Sequence, residues 1–80
     1  MTNKSNFKYQ EKRFEEIALF IKNYRLNTGL TQLGFSKLCN VHVNSIQRFE
    51  RGDKNISLLT LFLFIDAMDM TIAEFFEGIN

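Results

Sequence analysis

The chain has 80 residues and a net charge of +1, from ten Lys and Arg against nine Asp and Glu. Its single Cys and single His exclude an intramolecular disulfide and a structural zinc site, which needs about four ligands. A chain this short folds as one small domain with a thin core, burying about 60% of its unfolded surface.

The charge is unevenly spread. Residues 1–56 hold all ten bases against five acids, +5, whereas residues 57–80 hold four acids and no base, −4. Such asymmetry points to a polyanion-facing surface in the first part. Chance clustering in a short chain gives the same pattern, so a motif has to carry the inference. The N-terminus has no apolar stretch of the signal-peptide kind. The apolar run Leu61–Ile65, which no other run exceeds, falls far short of the roughly 20 residues of a membrane span. A cytoplasmic protein with no membrane partner is expected, and the lone Cys39 suits a reducing compartment as a small buried hydrophobe.

In chain order, residues 1–10 read as a flexible arm and residues 11–80 as the domain. No period-2 run bounded by turn residues predicts a strand, and proline is absent, so the fold class is all-α. From about Glu11 to Thr28, Phe14, Ile17, Ala18, Ile21, Tyr24 and Leu26 recur at helical spacing. Gly29 stops this helix, and Gly52 and Gly78 are likewise read as C-caps. Thr31 is the expected N-cap of helix two, which ends near Cys39 before a turn at Asn40. Helix three runs from about Val43 to Arg51. Ser57 caps helix four, through about Met68, and Thr71 caps a short helix five.

Helices two and three, joined by a short turn, form a helix-turn-helix pattern. On helix three, Ile46 and Phe49 fall together and belong to the core. Asn44, Gln47, Arg48 and Arg51, at i, i+3, i+4 and i+7, form a continuous polar stripe on the other side. Amide and guanidinium groups match a DNA major groove: Arg pairs with guanine O6 and N7, Asn or Gln with adenine N6 and N7. A solvated face of an ordinary surface helix is the competing reading.

From Arg25 to about Phe76 the sequence resembles the Cro/phage-repressor (XRE) family of helix-turn-helix domains. The matching stretches are "RLNTGLTQ" (25–32), "FSKLCNVHVNSIQRFERG" (35–52) and "SLLTLFLFIDAMDMTIAEFF" (57–76). The resemblance implies a compact five-helix, lambda-repressor-like domain that binds double-stranded operator DNA as a homodimer, helix three lying in the major groove. It places Val43, Asn44 and Arg48 at base-facing positions, with Gln47 beside them. It places Gln32, Arg51, Lys54 and Asn55 against phosphates, Gln32 also buttressing helix three, with His42 and Ser45 at the start of helix three added to that set. It also implies a largely buried salt bridge between Arg25 and Glu50, tolerable because a bidentate partner compensates the buried carboxylate. An exposed pair worth little is the alternative.

Several positions depart from the family pattern. Asn40 stands where glycine is common, His42 where Ser or Thr caps helix three, and Ile56 where proline is frequent. Val43 can only pack, for example on a thymine methyl. Gly34 weakens helix two by about 1 kcal/mol relative to alanine.

The last third is apolar nearly all round. More side chains between Leu58 and Ile79 are apolar than two short helices bury on one face, and such a surplus marks an interface. Leu61, Phe62, Phe64, Ile65, Phe75 and Phe76 are the expected homodimer contacts. Completion of the core against helix one is the alternative use of the same residues. A protein-interaction or antitoxin-type module using this surface is the alternative function. The N-terminal stretch, which interleaves Lys4, Lys8, Lys12 and Arg13 with Phe7 and Tyr9, could track DNA, extend helix one or stay disordered. No nucleophile–base pair, metal cluster or phosphate-cradling loop suggests an enzyme or a cofactor.

Overall fold

The computed structural model describes residues 7–79 as five helices, with no strand among them. They are α1 (Phe7–Asn27), α2 (Gln32–Cys39), α3 (Val43–Glu50), α4 (Leu58–Ala67) and α5 (Ile72–Ile79). None is long and apolar enough to cross a membrane.

The first four helices end in one way. A left-handed residue follows each: Gly29 (φ 77°), Asn40 (φ 59°), Gly52 (φ 107°) and Asp69 (φ 57°). The next amide then turns back to a carbonyl five residues earlier, from Leu30 to Arg25 and from Val41 to Ser36 at 3.1 Å each, and from Asp53 to Arg48 at 3.0 Å. The same bond from Met70 to Ile65 is longer, 3.4 Å. This motif satisfies carbonyls that a helix end leaves open. Asn40 therefore serves where glycine is usual, because a short polar side chain tolerates the left-handed region. Asp69 does the same at the end of α4.

The starts are equally local. Thr31 Oγ1 accepts from the Gly34 amide at 2.9 Å and Ser57 Oγ from the Thr60 amide at 3.0 Å. Thr71 and Glu74 cap each other reciprocally, at 2.9 and 3.0 Å. Helix α1 begins at Phe7, earlier than the expected Glu11, so residues 7–10 of the expected arm are helical. There Arg13 donates to the Tyr9 hydroxyl at 3.3 Å and lies 5.5 Å from its ring centroid, an i, i+4 pair that supports the extra turn. The rest of the arm, residues 1–6, lies outside the described residues.

Phenylalanine rings join the layers. Phe14 of α1 meets Phe49 of α3 edge-on at 5.8 Å, and Phe49 meets Phe64 of α4 at 5.1 Å. Phe64 in turn meets Phe35 of α2 at 5.8 Å. Ile21, Cys39, Ile46, Ile65, Met68 and Phe75 complete the buried core. Burial pushes the Cys39 thiol up to about 11, so it stays protonated and acts as a hydrophobe.

Gly78 is not a C-cap. It lies inside α5, where a Cβ would sit 2.8 Å from Phe20 Cζ, and that ring is held edge-on against Phe75 at 5.3 Å. Close approach of α5 to α1 is what requires glycine there. Gly78→Ala gains about 1 kcal/mol of helix propensity but forces the ring aside at a typical cost of about 1–3 kcal/mol. A lower thermal midpoint than wild type is expected; a higher one would show that the ring swings clear.

Candidate nucleic-acid interface

Helix α3 is aimed by a buried polar cluster at its C-terminal end. Arg25 forks onto Glu50, Nε to Oε2 at 2.7 Å and Nη2 to Oε1 at 2.9 Å, with side chains only 9% and 4% exposed. Its remaining terminal nitrogen, Nη1, donates to the Leu30 carbonyl at 2.8 Å. Gln32, the first residue of α2, donates from Nε2 to Glu50 Oε1 at 2.9 Å. Four chain segments thus meet in one cluster: Arg25 at the end of α1 and Gln32 at the start of α2 hold the carboxylate at the end of α3, and Arg25 also holds the turn after α1. The two-point geometry of the guanidinium fixes direction as well as distance. The bond from Gln32 ties the start of α2 to α3, the buttress that the resemblance implies for this residue.

Burial by itself raises the Glu50 carboxyl, but the bonds from Arg25 and Gln32, with the charges of Arg25 and Lys22, outweigh it and leave it below the ordinary value. The folded value therefore lies under the unfolded one, about 4.3. The resulting stability is complete above that unfolded value and is lost as pH falls from it through the lower folded value. Urea midpoints measured from pH 7 to pH 3 should show that loss below about pH 4.5. Glu50→Gln should lack this component; an unchanged pH profile in that variant would place the titration elsewhere.

Beyond this anchor the polar stripe is on the outside. Asn44, Arg48 and Arg51 are exposed and Gln47 is half-buried beside them, while Ile46 and Phe49 are 1% exposed on the inner side. Val43 is half-buried at the first turn. His42 caps α3 through Nδ1, which accepts from the Asn44 amide at 3.1 Å, and this leaves the ring N–H on Nε2. Lys54 and Asn55 are exposed in the loop after α3, and Ser45 is half-buried near Thr60 and Asn55. Arg48 is also ion-paired across the turn that ends α3: its Nε lies 3.7 Å from Asp53 Oδ2.

The expected dimer residues divide. Phe64 and Phe75 are fully buried and Ile65 is 2% exposed, so these three belong to the core of the monomer and not to an interface. Helix α4 is apolar on every side, so the sequence carries no phase from which to tell its inner face. Phe62 and Phe76 remain on the surface, 40% and 41% exposed, and Leu61 is half-buried. Leu58, Leu59 and Ile72 add to the exposed apolar surface of the same two helices.

A helix-turn-helix family profile matches residues 21–75. Among solved structures, the wild-type restriction–modification controller protein C.Esp1396I is similar, with a TM-score of 0.75 and 26% identity. The match covers 82% of this chain and 86% of that one. A point mutant of the same controller protein matches with the same score and identity, covering 82% of this chain and 88% of that one. Comparison with the curated proteins finds no match. The chain belongs to the helix-turn-helix family, of the Cro/C1 type. It is a sequence-specific DNA-binding regulator of transcription.

Proposed function

We propose that α3 lies in the major groove, with Asn44, Gln47 and Arg48 on base edges and Val43 packing beside them. The observation that carries this reading is the outward stripe on a helix whose C-terminal end is locked by Arg25, Glu50 and Gln32. A locked helix presents its side chains without the ordering cost that a mobile one incurs. Arg51, Lys54, Asn55 and Ser45 contact the backbone, which sets register and affinity but not sequence preference. Gln32 keeps a second amide proton for a phosphate while the first is held by Glu50. His42 offers its Nε2–H in the same way.

Two copies bind a pseudo-palindromic site, paired through the exposed part of α4 and α5, with Phe62 and Phe76 in the contact and Leu61 at its edge. The acids Asp66, Asp69, Glu74 and Glu77 of this region are all exposed and would be placed away from the phosphates. The same apolar exposure favours a second reading, a protein partner on this face. Selection from random duplex DNA at roughly 150 mM salt, which suppresses non-specific counterion-driven binding, tests both. A two-fold symmetric motif, together with a dimer in sedimentation that Phe62→Lys turns into a monomer, is the expected result. An asymmetric motif bound by a monomer would give that face to another protein.

A further inference from the structure

The Arg48–Asp53 pair has a geometry that serves base reading. Asp53 follows Gly52 and is held from both sides: its amide donates to the Arg48 carbonyl at 3.0 Å, and its Oδ1 accepts from the Asn55 amide at 2.9 Å. The second oxygen, Oδ2, is left toward Arg48 and lies 3.7 Å from Nε. Nε is the inner nitrogen of the guanidinium, and the two terminal nitrogens make no hydrogen bond among the described residues. Those two nitrogens are a donor pair of the kind that guanine O6 and N7 accept. A carboxylate is otherwise unfavourable at this place, in a loop that is to run along phosphates.

We infer that Asp53 is a positioning residue for sequence preference: it holds the Arg48 side chain extended over the groove with its terminal nitrogens presented to one base. This rests on the reading of α3 as the base-reading helix. In the free protein both side chains are about half exposed, 56% and 41%, so water screens the pair and its effect is modest. Enclosure in a DNA groove removes part of that screening. The two consequences of the carboxylate oppose each other. It repels every duplex through the phosphates, and it favours the one duplex whose base accepts from a pre-aimed Arg48.

The experiment compares wild type, Asp53→Asn, Arg48→Ala and the double variant. Each binds the selected duplex and a scrambled duplex of equal length, read by fluorescence anisotropy at two salt concentrations. Asparagine keeps an oxygen to accept from the Asn55 amide, so the loop and the thermal midpoint should be unchanged. Asp53→Asn is expected to tighten binding to the scrambled duplex. It should also lower the ratio of specific to scrambled affinity by up to about five-fold, the scale of an exposed charge pair. With alanine at position 48 the tightening should persist and the change in ratio should vanish. A ratio that moves equally in both backgrounds, or in neither, would overturn the inference and leave Asp53 as a general repulsive charge. If wild type does not prefer the selected duplex at all, the base-reading assignment of α3 fails first and takes this inference with it.

Discussion

Glu50→Ala is expected to lower stability by about 3–5 kcal/mol, because it strands the Arg25 guanidinium in a site that is nearly closed to water. The size follows from what the carboxylate holds: three hydrogen bonds, two from Arg25 and one from Gln32. A domain of this length is stable by roughly 4–12 kcal/mol, so the loss is a large share of the total. Each kcal/mol is worth about 4–8 °C in a domain this small, and the thermal midpoint should drop by more than roughly 12 °C. Circular dichroism at the helix band measures it directly. Replacing both partners with apolar residues, Arg25→Met with Glu50→Leu, should recover part of the loss, since no charge is then left unpaired. A midpoint for Glu50→Ala within a few degrees of wild type would mean that the pair is open to water in solution.

The second large effect is on DNA. Arg48→Ala should cost the selected site about 1–3 kcal/mol and relax preference at one base pair, with little change on scrambled DNA. Lys54→Ala should instead weaken all duplexes alike and reduce the slope of log affinity against log salt by about one. The contrast separates a side chain that reads from one that only neutralises. Equal losses on every duplex from both substitutions would remove the base-reading role from Arg48. Arg51, which continues the stripe at the C-cap of α3, should behave like Lys54 if it lies on the backbone.

Much of the frame was legible in the chain itself, because its signals are local. Thr31, His42, Ser57 and Thr71 cap helices by bonds that span two or three residues, and Asn40 turns the chain through its own backbone. The amphipathic phase of α3 separates Ile46 and Phe49 from Asn44, Gln47 and Arg48 within eight residues. Where a helix is apolar on one side only, its periodicity already says which side faces in.

Elsewhere the sequence had no phase to offer. Phe62 and Phe64 are the same residue type two positions apart in α4, yet one is 40% exposed and the other is fully buried between Phe35 and Phe49. Gly78 read as a helix end until Phe20, from the other end of the chain, occupied the space a side chain would need. Asp53 carried no pattern of its own; its role comes from Arg48, beside which the turn at Gly52 sets it. The sequence by itself therefore determined the helices, their turns and the polar face of α3, all set by bonds and spacings within one or two turns. Which phenylalanines are core, where two helices touch, and how α3 is held were decided only by packing between segments distant in the chain.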